Sequence, residues 1–338
     1  MQRILLIQLR QLGDIILTTP CIREVKLAFP NAEVDFLTHN MGRLVLPDNP
    51  YLNEIFCYSE KDSISQQWQL IKNLRSKKYD LAIDFMYNPR SALLCRLSGA
   101  KRRLAFPSRR KMAYTEIVPQ PQETDYIVRE KFHLLNHVGI QAKNEALILP
   151  WSEKHLMPYQ EHKKLLFPEK TQLRVALSPT HRREARQWSK ENYARLADWL
   201  VREKEAQVVW LWGPGEEEFV KETQALCQSN TSLAPKTGFR ELAAFIANCD
   251  LFIGNSNGPS HVAVSCDIPS LQLHGPTLAK TWCPQSGHHF AIQQARMSDI
   301  TLKLVQDKLE QMQPCLAKRL KERNEIGDRM SWNCKGMN

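Results

Sequence analysis

Short apolar runs alternate with segments of helical spacing along most of the chain, and this alternation restricts the fold more than any other feature. Runs of this length are typical of strands buried on both faces of a parallel sheet. Strands that alternate with helices predict a doubly wound α/β fold. In the first half, we predict strands at residues 3–9, 33–38, 54–58, 79–85 and 103–106, and helices at residues 15–28, 64–77, 90–97 and 125–139.

A second set of the same kind begins near residue 173. Before it, Pro158 and Pro168 interrupt any regular pattern, so we predict a linker at residues 151–171. Two Rossmann-like domains in tandem match the architecture called GT-B, in which the two sets of strand ends face each other across a cleft. The predicted strands of this set lie at residues 173–178, 207–212, 250–253 and 269–273, and helices at residues 190–204 and 239–248. The predicted domains are residues 1–150 and 172–316, followed by a basic C-terminal tail at residues 317–338.

The composition is ordinary for a soluble globular protein, with 43% apolar and 24% charged residues. No apolar stretch approaches the roughly eighteen residues of a membrane span. Arg10 and Asp14 interrupt the first apolar run too early for a signal peptide, which predicts a cytoplasmic protein. The nine cysteines show no C-x-x-C spacing. This indicates reduced, mostly buried thiols, and neither a disulfide framework nor a zinc site.

The formal net charge of +10 indicates an anionic partner: nucleic acid, a phosphorylated small molecule or an anionic membrane surface. Plain solubility accounts for the same charge. The segment 101–111 is the densest basic cluster of the first domain, and we expect it beyond a strand end, on the ligand side of the sheet. There it would bind phosphate or carboxylate groups. A solvated basic loop remains the alternative.

Two strand-to-helix turns are candidate sites. Residues 253–261, I-G-N-S-N-G-P-S-H, would point backbone N–H groups at one spot, which suits a phosphate. An ordinary turn needs the same residue types. The first turn, R-Q-L-G-D, has a single glycine and is therefore not a dinucleotide fingerprint. Its Asp14 lies at the ligand-binding edge of the predicted sheet, although a helix N-terminus favours a carboxylate there in any case.

The combined motifs resemble those of the ADP-heptose:lipopolysaccharide heptosyltransferases, glycosyltransferase family nine. The first half carries R-I-L-L-I-Q-L-R-Q-L-G-D-I-I-L-T-T-P. The second half carries S-P-T followed by R-Q-W, then W-G-P-G-E, G-N-S-N-G-P-S-H and H-G-P-T. The likeness covers residues 3–316. Any one piece is weak, but the order and spacing of all of them are specific.

The resemblance implies a role for each matching residue. Asp14 would be the general base that takes the proton of an acceptor hydroxyl, with inversion at the anomeric carbon. No metal and no cofactor is expected beyond the donor ADP-heptose, because cations and N–H groups would neutralise the leaving diphosphate. The implied donor-binding residues are Thr180, Arg186, Glu216, Thr237, Ser256, Asn257, Gly258, Pro259 and His261. An anionic acceptor would account for the basic cluster, and we predict that it binds Arg10, Lys101, Arg102, Arg103, Arg109 and Arg110.

We therefore predict an inverting heptosyltransferase that acts on the anionic inner core of lipopolysaccharide, lipid A bearing Kdo, at the cytoplasmic face of the inner membrane. Many family members carry an aspartate near Ser256, so a different nucleotide sugar is an alternative. A non-catalytic nucleic-acid-binding module is a second alternative, but only Phe106 and Tyr114 lie near the basic cluster, and we expect no nucleic acid. The basic tail would either contact anionic lipid or be solvated.

Overall fold

The computed structural model describes residues 1–123 and 125–332. Among them, two compact units separate between Pro150 and Trp151. The strands of the first unit are β1 Arg3–Ile7, β2 Glu33–His39, β3 Glu54–Tyr58, β4 Leu81–Asp84, β5 Arg102–Ala105 and β6 Glu116–Ile117. Its helices are α1 Leu12–Ile16, α2 Thr19–Ala28, α3 Ile64–Ser76, α4 Pro89–Leu97 and α5 Ile127–His137.

The second unit repeats this pattern. Its strands are β7 Arg174–Ser178, β8 Gln207–Trp210, β9 Ser232–Leu233, β10 Leu251–Asn255, β11 Ser270–His274 and β12 His289–Gln293. Its helices are α6 Met157–Leu166, α7 Lys190–Lys204, α8 Glu217–Ala225, α9 Phe239–Ile246, α10 Gly258–Ser265, α11 Ala279–Trp282, α12 Leu302–Gln311 and α13 Gln313–Ile326. Short 3-10 turns lie at Asn40–Leu44, Lys111–Ala113, Glu153–His155, Glu184–Arg186 and Met297–Asp299.

Both sheets are parallel and have the same strand order. The first is β3-β2-β1-β4-β5-β6, and the second is β12-β11-β10-β7-β8-β9, which is the same arrangement read from its other edge. In each sheet the chain reverses its direction of travel between two neighbouring strands, β1 and β4 or β7 and β10. Such a switch point opens a crevice beyond the carboxyl ends of the strands, where α/β proteins bind ligands.

Buried aliphatic and aromatic side chains fill the space between each sheet and its helices. In the second unit Trp188 and Trp210 are fully buried beside Tyr193, whose ring meets that of Trp188 edge to face at 5.0 Å. These tryptophans are core residues. Within the described residues, no helix combines the length and the apolar composition that crossing a bilayer would need.

The predicted helix at residues 15–28 is in fact two helices, α1 and α2. Pro20 has no N–H to donate to the carbonyl of Ile16, so one continuous helix cannot form. Instead the Thr19 hydroxyl donates to that carbonyl at 2.6 Å, and Thr18 donates to the carbonyl of Asp14 at 2.7 Å. The break leaves α1 as a short, separate turn after β1.

The interpretation of residues 151–171 as a linker is wrong, because most of this segment packs into the second unit. Helix α6 buries Tyr159, whose hydroxyl accepts a hydrogen bond from Arg174 Nη1 at 2.9 Å. The proline at position 158 lies in the first turn of α6, where a missing N–H costs nothing. Proline there begins a helix instead of interrupting one.

Residues 317–332 of the predicted basic C-terminal tail, residues 317–338, pack against the second unit and are not a solvated tail. Helix α13 is docked by Arg323, which donates to Asp250 Oδ1 at 2.8 Å, and by Arg319, which donates to the carbonyl of Ala247 at 2.7 Å. Beyond the helix, Asp328 accepts from Arg174 at 2.8 Å. Charges that suggested a solvated surface are thus partners of buried polar groups. Residues 333–338 lie outside the described residues.

Candidate functional site

The switch point of the second sheet brings Thr180 and Glu216 together. Thr180 follows β7, and Glu216 precedes α8 after β8. Glu216 Oε2 accepts hydrogen bonds from the Thr180 hydroxyl at 2.8 Å and from the Gly213 N–H at 2.9 Å. One carboxylate oxygen therefore holds the loop after β7 against the loop after β8. These two bonds leave Oε1 for a ligand.

Two asparagines tie the turn after β10 to the loop after β7. The buried Asn255 donates to the Pro179 carbonyl at 2.8 Å and accepts from the Trp188 N–H at 3.1 Å. Asn257 donates to the Thr180 carbonyl at 2.9 Å, and its Oδ1 accepts from the N–H of Ser260. The turn is therefore held rigidly by neutral side chains, and α10 begins at a defined position.

Gly258 is the first residue of α10 and is unobstructed. A Cβ atom placed on Gly258 would meet no heavy atom within 4 Å. Its φ is not positive, so the fold itself does not require glycine here. By contrast, a Cβ on Gly254 would lie 2.8 Å from Phe252 and 3.0 Å from Ser178 Cβ. Pro259 at the second position of α10 has no N–H, which costs the helix nothing in its first turn.

Ser256 and His181 form a further contact between the same loops. His181 Nε2 lies 3.1 Å from the carbonyl of Ser256, and Gln187 Oε1 accepts from the His181 N–H at 2.9 Å. Burial lowers the pKa of His181, and the neighbouring Arg186 acts in the same direction. His181 is thus a neutral support of the turn. We did not single it out from the sequence, where it is one residue of a basic loop.

The remaining predicted donor residues lie nearby on separate elements. Arg186 ends the 3-10 turn Glu184–Arg186 after β7, and Thr237 lies between β9 and α9. Both side chains are partly exposed. His261 is buried on α10, with its ring centroid 6.3 Å from that of Trp282. Hydrogen bonds join Thr180 to Glu216 and to Asn257, and the Ser256 carbonyl contacts His181 instead. The other predicted donor residues lie on α10 or on separate loops.

In the first unit, Asp14 lies on α1, directly after β1 at the switch point. It is partly exposed, and its Oδ2 accepts from the Gln11 N–H at 2.9 Å. Behind it, the buried Lys131 of α5 donates to the Asp14 carbonyl at 3.1 Å and to Gln8 Oε1 at 3.3 Å, and it also donates to Thr18 Oγ1. Burial lowers the pKa of Lys131, while the Asp14 carboxylate raises it.

Lys131 is a residue that we missed in the sequence, although a signal was present. It lies on the same face of α5 as the buried residues Val128, Phe132 and Leu135. A lysine among the apolar positions of an amphipathic helix indicates a buried ammonium group with several oxygen partners. Here those partners fix the backbone that carries Asp14.

The basic segment at residues 101–111 does not act as one cluster, and its expected position is wrong for Lys101, Arg102 and Arg103. These residues lie at the amino end of β5, not beyond its carboxyl end. Arg102 pairs with Glu116 through two bonds of 2.7 and 2.9 Å, and Lys101 pairs with Asp80 at 2.9 Å. The guanidinium of Arg103 donates to the carbonyls of Ala100 and Ala113, at 2.6 and 2.8 Å.

Arg109 and Arg110 lie on the expected side, after the carboxyl end of β5, and both are exposed. Arg10 lies after the carboxyl end of β1 and pairs with Glu60, which follows β3. Glu60 lines a shallow pocket with Asn88, Pro89, Arg90 and Leu93, at the carboxyl edge of the first sheet. Three of the six predicted acceptor residues thus lie at this edge.

The family model described as glycosyltransferase family 9 (heptosyltransferase) matches residues 67–309. The chain therefore belongs to glycosyltransferase family 9. The predicted family is confirmed, and so is the predicted fold class, α/β of the GT-B type with two Rossmann-like domains.

Individual relatives agree with this membership. Lipopolysaccharide heptosyltransferase 3 of Escherichia coli (strain K12) is 29% identical over 82% of this chain and 83% of its own. The crystal structure of a family 9 glycosyltransferase from Veillonella parvula has a TM-score of 0.83, at 22% identity over 94% and 97% of the two chains. The E. coli heptosyltransferase WaaC, solved with ADP-2-deoxy-2-fluoro heptose, has a TM-score of 0.72 at 17% identity, over 92% and 99%.

Proposed function

We propose that this glycosyltransferase moves heptose from ADP-heptose to the inner core of lipopolysaccharide, with inversion at the anomeric carbon. Two of the relatives described above are heptosyltransferases by name, and WaaC was solved with an ADP-heptose analogue. The observation that carries the proposal for this chain is the unobstructed Gly258 on a rigid turn at the switch point. Such a turn presents N–H groups and the positive end of a helix dipole to an anion.

The donor would bind through groups that already have defined positions. The diphosphate would accept from the Gly258 N–H at the start of α10 and from Arg186, a guanidinium that suits phosphate oxygens. Glu216 Oε1 would accept from ribose hydroxyls, while Oε2 stays bonded to Thr180 and Gly213. Thr237 would place the adenine through its main chain. The leaving ADP would be stabilised by these donors, and a metal ion is not part of the proposal.

Asp14 would act as the general base. Its Oδ2 is held by the Gln11 N–H, so that Oδ1 is the atom that would take the proton of the acceptor hydroxyl. As the O–H bond breaks, the oxygen forms a bond to the anomeric carbon. The bond from that carbon to the β-phosphate oxygen breaks on the opposite face, and ADP leaves with the electron pair. The configuration therefore inverts.

The test is Asp14→Asn, which keeps the side-chain size and removes the base. We expect kcat to fall by about 10²–10⁴-fold, with the Kd for ADP-heptose unchanged by calorimetry. A matched control is Asp62→Asn, since Asp62 is also partly exposed and also accepts one backbone N–H, from Ser59 at 2.8 Å. Full transfer activity in Asp14→Asn would contradict the assignment of the base. NMR of the product's anomeric centre reports inversion or retention independently.

Ser256 bears on the identity of the donor sugar. Its side chain is short and carries a neutral hydroxyl, and its carbonyl is close to His181 Nε2. We keep ADP-heptose as the proposed donor, with another nucleotide sugar as the alternative. Calorimetry with ADP-heptose beside UDP-sugars and GDP-sugars separates the two, since binding of a uridine or guanosine donor alone would rule out ADP-heptose.

We also propose that helix α3 brings the enzyme to an anionic membrane surface, where a lipid-anchored acceptor is located. Ile64 and Trp68 are exposed by 77% and 64% on one face of α3. Lys72 and Arg75 continue that face by helical spacing and are also exposed. Tryptophan prefers the membrane interface, and basic residues bind acidic lipid headgroups. This surface replaces the C-terminal tail that we first considered.

Co-sedimentation with phosphatidylglycerol-containing vesicles tests the membrane proposal. We expect the double variant Ile64→Ser, Trp68→Ser to lose most of the binding, because the apolar face can no longer insert. The matched control is Leu165→Ser on α6, where the leucine is also 77% exposed. Equal binding by both variants and the wild type would reject α3 as the contact.

A further inference from the structure

A cluster of three side chains outside the transfer site has the composition of a metal centre. The cluster consists of Asp267, His288 and His289. Each offers one atom that could bind a metal ion, and these three atoms lie within 4.8 Å of one another. Asp267 lies between α10 and β11, His288 directly precedes β12, and His289 begins it. Strands β11 and β12 are parallel neighbours, with Ser270 beside His289. The cluster is therefore at the amino ends of these strands, away from the turn at Gly258.

The contact between Asp267 and His288 is close without being a good hydrogen bond. Asp267 Oδ1 lies 3.0 Å from His288 Nε2, yet this buried nitrogen has no hydrogen-bond partner with acceptable geometry among the described residues. Two ligands of one tetrahedral ion, each about 2.0–2.2 Å from it, lie roughly 3.3–3.6 Å apart. The observed distance is a few tenths of an ångström shorter, so a small rotation of the exposed Asp267 side chain would give both atoms the separation of neighbouring ligands.

The third side chain, His289, is buried and oriented by a neighbour. Its Nδ1 lies 2.9 Å from the hydroxyl of Ser270. Histidines that bind metals usually have a hydrogen bond on the nitrogen that does not bind, which fixes the ring and its tautomer. With Nδ1 engaged by the serine, Nε2 is the nitrogen left for a ligand. The rings of His288 and His289 lie with their centroids 4.5 Å apart.

We propose that Asp267, His288 and His289 bind a divalent first-row transition metal of the zinc class. Two imidazoles and one carboxylate are a donor set that Zn²⁺ accepts, with water as the fourth ligand. The proposal departs from our expectation of no zinc site, which rested on the cysteine spacing and missed the adjacent histidines at positions 288 and 289. The bound ion would join the end of the α10–β11 turn to the start of the edge strand β12 and stabilise the second unit. It takes no part in glycosyl transfer.

Metal titration of tag-free protein, stripped with a chelator and dialysed, tests this proposal. We expect Zn²⁺ to bind with one equivalent by calorimetry and to raise the thermal midpoint of unfolding by a few degrees, since a ligand of the native state stabilises it. Co²⁺ in place of Zn²⁺ should give the visible absorption of a four-coordinate nitrogen and oxygen site, which reports the ligands directly.

Two variants at the surface of the cluster make the assignment specific. His288→Ala and Asp267→Asn should each weaken Zn²⁺ binding by at least about 10–100-fold and abolish the thermal shift. The control His137→Ala removes a partly exposed histidine that pairs with Glu116 at 3.3 Å, and should bind like the wild type. No saturable binding by the wild type, or equal binding by all four proteins, would overturn the proposal. Neither result bears on the transfer activity, which is assayed separately.

Discussion

The two ends of strands β7 and β10 use polar side chains in opposite ways. At the amino ends, two buried arginines pair with carboxylates: Arg323 with Asp250, and Arg174 with Asp328. At the carboxyl ends, the neutral amides of Asn255 and Asn257 hold the turn after β10. Glu216 accepts hydrogen bonds from the protein through Oε2 alone, and the space beside Gly258 is free of other atoms. Where the chain satisfies its own polar groups, they serve stability. At the carboxyl ends the polar groups order the loops, and those without a protein partner are available to a ligand.

The first unit shows the same contrast between its two edges. At the amino edge, Asp80 accepts from the Gln2 N–H at 2.8 Å and from Lys101 at 2.9 Å, and these two contacts hold the pKa of Asp80 down at about 2. At the carboxyl edge, Asp14 accepts one N–H, while Arg109 and Arg110 are exposed. The contrast therefore applies within each unit separately.

The largest expected effect comes from the paired edge. Arg323→Ala leaves the Asp250 carboxylate buried without its cation, which costs about 3–5 kcal/mol of unfolding free energy. For a unit of this size each kcal/mol shifts the thermal midpoint by roughly 2–4 °C. The control Lys318→Ala removes an exposed charge from the same helix and should change little. Calorimetric scans of both variants check the prediction, and equal midpoints would show that α13 is not held by this pair.

An intermediate effect is expected at the open edge, where two glycines four residues apart should respond in opposite ways. Gly258→Ala places a Cβ in the space that the diphosphate would occupy and so separates it from the Gly258 N–H. We expect this to weaken ADP-heptose binding by about 10–100-fold, the worth of one hydrogen bond to a charged group, without a change in thermal midpoint. Gly254→Ala should destabilise the protein by about 1–3 kcal/mol through overpacking against Phe252 and Ser178. Isothermal calorimetry and thermal scans measure both. A Gly258→Ala protein with wild-type affinity would remove α10 from the donor site.

The smallest effect separates the two halves of the basic segment. The double variant Arg109→Ala, Arg110→Ala should raise KM for the anionic acceptor by roughly 3–10-fold, as expected for two exposed charges. Lys101→Ala, Arg102→Ala should leave KM unchanged, because those side chains are paired with Asp80 and Glu116. Steady-state kinetics at low salt make the comparison. If the second pair has the larger effect, the acceptor does not bind at the carboxyl edge.

Patterns within a few residues of each other were predictable from the sequence. The apolar runs placed strands such as β3 and β7 within a residue or so of their observed bounds, because a buried strand needs contiguous apolar side chains. Strands β6 and β9, of two residues each, carry too little pattern to recognise. The motif at residues 253–261 correctly placed a strand, a turn and a helix start, because glycine, asparagine and proline have strong local preferences.

Pairings between distant residues were not predictable from local patterns. Lys101 and Arg109 belong to one basic run, but the four residues of β5 separate the ends of the run by about 13 Å. Lys101 therefore lies at the amino edge of the sheet, and Arg109 lies on the side of the carboxyl edge. Arg319 and Arg323 have the composition of a solvated helix end, yet α13 places them on buried acceptors.

The sequence by itself determined the family, the alternation of strands and helices, and the turns that carry Asp14 and Gly258. All of these depend on residues that are neighbours along the chain or on motifs in a specific order. Only the tertiary structure decided which charged side chains pair with groups of the protein and which are exposed to a ligand. That property depends on which carboxylate or carbonyl the fold brings within about 3 Å of each cation, and parallel pairing of distant strands sets those distances. The adjacent histidines at 288 and 289 acquire their carboxylate, Asp267, by the same means.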